Sequence, residues 1–245
     1  MSMGERATSF GAAAQSYETG RPEYPAEAVA WMLEGVPAPR IADVGAGTGK
    51  LTRVLLGLPG AEVVAVDPDP AMLETLKSSA DVPAFAGTAE SLPFEDGSFD
   101  AVVLGQAWHW VEPIAGSAEI GRVVRPGGVL GLIWNVRDER TDWVRRLTEI
   151  MHGSPAEQMV SGDGPTIAAP FGPAEERRWE WTRPMTREQL LHMARSRSYI
   201  ITAPDEEKAR IEKGMNELFD ELDVSGESTI DMPYLTAAYR SVRRG

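Results

Sequence analysis

The residues best suited to bind a nucleoside are a glycine loop and an acidic residue that follows it. The loop, DVGAGTG at 43–49, lies directly after a short apolar run and directly before a helical pattern. Its glycines permit a tight turn and let a ligand approach the main chain, and a helix N-terminus offers free amide donors. Asp67 ends the next apolar run, where a carboxylate can hold both ribose hydroxyls of a nucleoside. Loop and acid in this order predict a nucleoside site.

The spacing of the loop excludes two common phosphate-binding motifs. A dinucleotide fingerprint requires a third glycine where this chain has Lys50. A Walker loop requires one more residue before its last glycine, and a serine or threonine where this chain has Leu51. The remaining alternative is a tight structural turn without a ligand, and the position of Asp67 favours a binding site over that alternative.

The elements that must position these residues alternate between apolar strands and helices. Such alternation predicts a parallel sheet that is covered on both faces. We interpret the segment RPGG at 125–128 as a break between the last of these helices and the strand after it. Strands are predicted at 40–44, 62–67, 83–87, 100–104 and 129–134, and helices at 50–58, 68–80 and 115–124.

The rest of the chain predicts a helical cap and the end of the same sheet. The fold class is therefore α/β: a Rossmann-like, doubly wound, mostly parallel seven-stranded sheet with an antiparallel last strand and a helical cap. We expect 1–138 to form an N-terminal helical lid and the nucleoside-binding core. We expect 139–245 to form a cap or substrate region plus the last two strands of the same domain. Helices are predicted at 141–151, 186–196 and 204–222, and strands near 175–183, with Trp179 and Trp181 on a buried face, and 229–241.

Composition excludes several classes of function. The chain has no cysteine, which rules out disulfides, zinc–thiolate sites and cysteine nucleophiles. The net charge is −13 and both halves of the chain are acidic, so we expect no nucleic-acid partner. The three histidines stand far apart and predict no metal site. We see no signal peptide and no apolar run of the roughly 20 residues that a membrane span needs, so we expect a cytoplasmic protein.

Four segments resemble the successive motifs of class I S-adenosylmethionine-dependent methyltransferases. The opening YETGRPEYP at 17–25 and the segment QAWHW at 106–110 resemble more narrowly the small-molecule branch, the type 11 and trans-aconitate methyltransferase-like proteins. The resemblance is close over about 40–135 and loose over 139–245, and it implies S-adenosylmethionine as the cofactor. The four segments are DVGAGTG at 43–49, DPDPAML at 67–73, GTAESLPF at 87–94 with Phe99 and Asp100, and RVVRPGG at 122–128.

Carried over position by position, the resemblance implies a set of cofactor contacts. The family often has aspartate where Thr88 stands, so a side-chain bond to the adenine amino group is not implied here. The implied contacts are Gly45, Ala46 and Gly47 under the methionine part, Tyr17 and Arg21 over its carboxylate, Asp67 on the ribose, Pro68 and Met72 on the adenine face, Thr88 and Ala89 at the adenine edge, and Gln106 along the cleft.

The candidate acceptor pocket follows the fourth predicted strand, since ligands of open α/β sheets bind beyond the carboxyl ends of strands. His109 is the candidate catalytic residue, either as a base with a pKa near neutrality or only as a hydrogen-bonding wall of the pocket. Arg137, Arg195 and Arg197 could also reach the cleft. The candidate acceptor-binding residues are Trp108, His109, Trp110, Asn135 and Tyr199.

The sequence therefore predicts methyl transfer to an oxygen or nitrogen of a small metabolite, with a carboxylic acid as one candidate, by a monomer or homodimer. Three alternatives stay open. A nicotinamide or nucleotide-sugar enzyme is opposed by the short glycine loop. An RNA or protein methyltransferase is opposed, in its RNA version, by the acidic composition. A non-catalytic, cofactor-binding regulatory module is opposed by the intact loop, the acid and the full-sized cap.

Overall fold

The computed structural model describes residues 21–245, so the predicted role of Tyr17 lies outside the described residues. Among these residues, none of the helices combines the length and the apolar character that crossing a membrane demands. The strands are β1 (Arg40–Val44), β2 (Glu62–Asp67), β3 (Ala84–Ala86), β4 (Phe99–Gly105), β5 (Val124–Arg137), β6 (Glu175–Thr186) and β7 (Thr229–Val242).

Helices cover the sheet and form the cap. A single 3₁₀ turn at Trp108–Trp110 follows β4. The helices are α1 (Ala26–Met32), α2 (Lys50–Leu56), α3 (Pro70–Ser79), α4 (Pro113–Val123), α5 (Asp142–Met151), α6 (Pro155–Ser161), α7 (Arg187–Arg195), α8 (Ser198–Ile201) and α9 (Asp205–Glu221).

The seven strands form one sheet in the order β3-β2-β1-β4-β5-β7-β6. Neighbouring strands from β3 to β5 are parallel, whereas β7 runs antiparallel to both β5 and β6. This arrangement confirms the predicted doubly wound sheet with its antiparallel last strand. Because the chain order reverses between β1 and β4, the carboxyl ends of these strands border the crevice where such sheets bind ligands.

The strand β5 does not break where the sequence predicted. The expectation that RPGG at 125–128 separates a helix from a later strand is wrong, because β5 already begins at Val124. A register shift against β4 absorbs the extra residues, since Phe99 pairs with Val124 and Ala101 with Val129. Gly127 N–H also donates to Arg243 O (3.0 Å), so the residue that follows β7 provides a hydrogen-bond acceptor for this segment. A proline–glycine pair can therefore lie inside a bulged strand.

Aromatic side chains attach the edge strand β6 to the rest of the fold. Trp179 packs edge-on against Trp31 of α1, with ring centroids 5.7 Å apart, and Trp181 stacks on Tyr234 of β7 at 4.8 Å. The Trp181 indole N–H donates to Thr236 Oγ1 (2.8 Å). Both tryptophans are half-buried on the inner face of the strand, which confirms their predicted packing role.

Candidate functional site

A cleft of about 510 Å³ opens beyond the carboxyl ends of β1, β2 and β4. It collects most of the predicted site residues that the structure describes. The predicted residues that line it are Arg21, Gly45, Gly47, Asp67, Pro68, Met72, Thr88, Ala89, Gln106, His109, Trp110 and Tyr199.

Three predicted residues lie elsewhere. Trp108 is buried in the core and its indole N–H donates to Thr166 O (3.0 Å), so its predicted place in the acceptor pocket is corrected to a packing position. Ala46 and Asn135 line a smaller pocket of about 30 Å³ that adjoins the cleft. The Asn135 side chain is committed to two neighbours, because it donates to Glu23 O (3.0 Å) and accepts from Thr236 Oγ1 (2.6 Å). Asn135 therefore anchors the segment that carries Arg21.

The glycine loop is tied to the end of the neighbouring strand. The N–H groups of Gly45 and Ala46 both donate to Val66 O, at 2.8 and 3.0 Å. Gly45 and Gly47 have φ values of +70° and +56°, in the left-handed region that side chains rarely adopt. A Cβ atom on Gly45 would lie 2.7 Å from the Cβ of Ala107, whereas one on Gly47 would meet no atom within 4 Å. Glycine at 45 therefore lets the loop pass against the segment after β4.

We expect Gly45→Ala to destabilise the protein more than Gly47→Ala does. Strain alone costs about 1–2 kcal/mol for a left-handed residue with a side chain, which lowers the melting temperature by roughly 2–8 °C in a chain of this size. Overpacking against Ala107 adds about 1–3 kcal/mol at position 45. Thermal unfolding of the two variants measures this difference, and equal shifts would contradict the contact with Ala107.

Asp67 ends β2 on the floor of the cleft. Its Oδ2 accepts from Gly47 N–H (2.8 Å) and its Oδ1 from Asp69 N–H (2.9 Å). Burial raises the pKa of Asp67, and the two N–H donors oppose this rise. Asp69 lies two residues further along the chain and caps α3, where it accepts from Ala71 N–H (2.9 Å). The Asp67 carboxylate is thus fixed beside the loop, in the position predicted for a ribose-binding acid.

Two buried oxygens around the small pocket accept no hydrogen bond within residues 21–245. One is Oδ1 of Asp43, whereas Oδ2 of the same carboxyl group accepts from Thr52 Oγ1 (2.6 Å). The other is Oε1 of Gln106, whose Nε2 donates to Asn135 O (2.6 Å). Gln106 has a φ of +55°, in the left-handed region that costs a residue with a side chain about 1–2 kcal/mol. Because unpaired buried acceptors cost free energy, both oxygens suit a ligand group with several N–H donors.

The buried carboxyl of Asp43 makes stability depend on pH. Burial, with a smaller contribution from Asp67, raises its pKa from 3.8 to about 7. A group whose pKa is raised on folding stabilises the protein below its unfolded pKa, and this stabilisation is lost as pH rises through about 7. We therefore expect the melting temperature of Asp43→Asn, measured relative to the original chain, to rise from pH 5 to pH 8. A difference that does not change with pH would contradict the raised pKa.

His109 lines the other side of the cleft. The Trp134 indole N–H donates to its Nδ1 (3.3 Å), and the Trp110 ring lies 4.8 Å from the imidazole ring. Burial, assisted by the charge of Arg21, lowers the pKa of His109 from 6.5 to about 4. The imidazole is therefore neutral at physiological pH.

The cap contributes a buried charge cluster that sequence reasoning found only in part. Arg137, fully buried at the end of β5, pairs with Glu157 of α6 at 2.9 Å. The Glu157 carboxylate also accepts from Ser154 N–H (2.7 Å) and Oγ (2.9 Å). Glu157 N–H in turn donates to Ser154 Oγ (3.3 Å), which completes a capping box. Burial favours a higher pKa for Glu157, but Arg137, Arg197 and Ser154 outweigh it and hold the pKa below its ordinary value.

Part of this cluster faces the cleft. Arg197, which is 5% exposed, lines the cleft together with Ser154 and Tyr199. Arg195 points elsewhere and pairs with Glu212 on the surface (2.6 Å). The spacing of Ser154 and Glu157 is that of a capping box and could have located α6 in the sequence. Among the described residues, no group of three histidine, aspartate or glutamate side chains is arranged to hold a metal ion.

Comparisons with known proteins agree with this geometry. Residues 42–132 match the family described as a methyltransferase domain. The chain is 43% identical over 237 residues, 95% of each protein, to an uncharacterized methyltransferase of Mycobacterium tuberculosis. It is 39% identical over 104 residues to a demethylmenaquinone methyltransferase of Chlorobaculum tepidum, covering 42% of this chain and 43% of that protein.

Solved structures show the same fold. The YcgJ protein of Bacillus subtilis superimposes with a TM-score of 0.53 at 19% identity, covering 89% of this chain and 99% of that one. A phosphoethanolamine N-methyltransferase of Haemonchus contortus, in complex with S-adenosylhomocysteine, superimposes with a TM-score of 0.53 at 14% identity, covering 99% of this chain and 59% of that one.

Proposed function

The chain belongs to the class I S-adenosylmethionine-dependent methyltransferases, and from this premise we propose that it methylates an oxygen or nitrogen atom of a small metabolite, with a carboxylic acid as the favoured acceptor. The similarity of the core to a demethylmenaquinone methyltransferase supports a small acceptor. The acidic composition disfavours RNA. The observation that carries the acceptor class is the buried pair Arg197 and Arg137 on the cap side of the cleft, of which Arg197 lines the cleft itself.

The residues present fit S-adenosylmethionine. Its methionine part carries an ammonium group, which can donate to Asp43 Oδ1 and Gln106 Oε1, the two buried oxygens that accept no hydrogen bond from the described residues. Asp67 would hold the ribose hydroxyls, and Pro68 and Met72 offer apolar surface for the adenine. A nicotinamide dinucleotide has no ammonium group for these two acceptors.

When bound, the cofactor supplies a methyl group on a positively charged sulfur, which is electrophilic without further activation. The chain's own task is therefore to orient the acceptor and to exclude water. The 3₁₀ turn and the cap would do this, because His109 and Trp110 of the turn and Tyr199 of the cap all line the cleft.

A carboxylate fits the charges of the cap side. Arg197 lines the cleft and Arg137 lies buried behind it. In the described part of the chain, Glu157 is the only carboxylate that forms an ion pair with Arg137. Buried positive charge favours an anion, and guanidinium groups bind carboxylates in a planar, two-bond geometry. A carboxylate also carries no proton on its attacking oxygen, so its methylation needs no base.

Methyl transfer to a panel of acceptors tests this proposal. Each small carboxylic acid is paired with its primary amide, and amines and phenols complete the panel. We expect a methyl ester from an acid and no transfer to its amide, detected by mass spectrometry of the products. Methylation of amines alone would overturn the carboxylate class, and saturable cofactor binding without transfer to any acceptor would favour the regulatory module.

A further inference from the structure

We propose that Trp134 is a positioning residue that fixes the tautomer of His109, so that the imidazole donates a hydrogen bond to the methyl acceptor and does not act as a base. This inference rests on the proposed function for its consequence in catalysis. Its structural part, the state of the imidazole, can be tested without any substrate.

The geometry of the two side chains assigns the tautomer. An indole N–H can only donate a hydrogen bond, so the 3.3 Å contact makes Nδ1 of His109 the acceptor. A neutral imidazole with an accepting Nδ1 carries its single proton on Nε2. The nitrogen that is not engaged by Trp134 is thus a donor.

Trp134 is held firmly enough to impose this choice. It lies in the middle of β5, between β4 and β7, and its side chain is fully buried. Tyr239 of β7 packs edge-on against its ring, with centroids 5.8 Å apart. If Nδ1 of His109 carried the proton, the Trp134 indole N–H would be left without an acceptor in the core, which costs free energy. Burial of Trp134 therefore favours the tautomer in which Nδ1 is unprotonated.

The charges around the cleft oppose a cationic imidazole. Burial lowers the pKa of His109, and the charge of Arg21, which lines the same cleft, lowers it further. Tyr199 from the cap has a pKa raised by burial and stays neutral near pH 7. Glu90 and Glu112 also line the cleft, but their carboxylates are engaged at the start of α4, where Glu112 caps the helix and Glu90 accepts from Glu112 N–H (2.9 Å). A neutral Nε2–H donor fits a carboxylate acceptor, because it can hold one oxygen while the other is methylated.

A matched pair of tryptophan variants tests the inference. Trp134→Phe removes the N–H group that meets His109. Trp108→Phe removes an equally buried indole N–H from the same core cluster, but its partner is Thr166 O and it does not line the cleft. Nitrogen-15 NMR of His109 should show the Nε2–H tautomer in the original chain and in Trp108→Phe. Trp134→Phe should shift it towards a mixture of tautomers.

Kinetics then connect the tautomer to catalysis. We expect Trp134→Phe to lower kcat/KM for the acceptor about tenfold, the loss of roughly one hydrogen bond, with unchanged affinity for S-adenosylhomocysteine. In a His109→Gln background, Trp134→Phe should have no further effect, because the residue it acts through is gone. Trp108→Phe should leave kcat/KM near that of the original chain.

Three results would overturn the inference. They are an Nδ1–H tautomer of His109 in the original chain, equal kinetic losses in the two tryptophan variants, and additive losses in the double variant. The NMR measurement needs no acceptor, so a correct tautomer without methyl transfer would mean that the proposed function fails while the structural assignment stands.

Discussion

Replacing Asp67 with alanine is expected to weaken S-adenosylmethionine binding by roughly 100- to 10,000-fold. The carboxylate would make two charge-assisted hydrogen bonds to the ribose hydroxyls, each contributing about 1.5–3 kcal/mol. The same change removes the acceptor of the Gly47 N–H, so the glycine loop also loses its link to β2. Equilibrium dialysis with radiolabelled cofactor measures the loss.

Asp69→Ala is the matched control for this prediction. It removes a buried carboxylate two residues away, but that carboxylate caps α3 and does not line the cleft. We expect it to cost about 1 kcal/mol of stability, as the loss of a helix cap usually does, and to leave cofactor affinity within a few-fold. Equal losses of affinity in the two variants would mean that Asp67 supports the loop and does not bind the ribose.

Replacing Glu157 with glutamine is expected to destabilise the protein by about 3–5 kcal/mol. Glutamine can preserve the capping box of α6, so the change isolates the charge. In this variant the guanidinium of Arg137 stays fully buried beside Arg197, but the negative charge of Glu157 that compensated it is gone. An uncompensated buried charge destabilises the folded state strongly. The melting temperature should fall by roughly 6–20 °C.

Glu221→Gln provides the comparison for Glu157→Gln. It removes the carboxylate of an ion pair with Arg146 in which both side chains are largely exposed. Exposed pairs contribute little to stability because water screens them. We expect almost no change in melting temperature for this variant. A small effect of Glu157→Gln, similar to that of Glu221→Gln, would show that the Arg137–Glu157 pair does not organise the cap side of the cleft.

The parts of the site that the sequence predicted are those encoded locally. The loop at 43–49 and Asp67 need only a strand, a turn and a helix in a fixed order, and parallel pairing of β1 with β2 then brings them together. The doubly wound, mostly parallel sheet was predicted from the alternation of apolar strands and helices. The strands β6 and β7 were predicted because both segments are rich in aromatic residues.

The acceptor side depended on tertiary contacts that the sequence does not display. Trp108, His109 and Trp110 are consecutive, but the 3₁₀ turn sends Trp108 into the core and leaves the other two on the cleft. The hydrogen bond from Trp134 to His109 spans 25 residues and joins the carboxyl end of β5 to the 3₁₀ turn after β4. The pairing of Arg137 with Glu157 likewise depends on how α6 packs on β5, which no local pattern specifies.

Calorimetric titration with S-adenosylmethionine and S-adenosylhomocysteine, with NAD and ATP as controls, tests the cofactor assignment most directly. We expect saturable binding of the first two at one site per chain and no binding of the controls. Asp43 and Gln106 are assigned to an ammonium group and Asp67 to ribose hydroxyls. Of the four compounds, only S-adenosylmethionine and S-adenosylhomocysteine carry both kinds of group. Binding of NAD or ATP in their place, or of none of the four, would contradict the assignment of the cleft and of every residue placed in it.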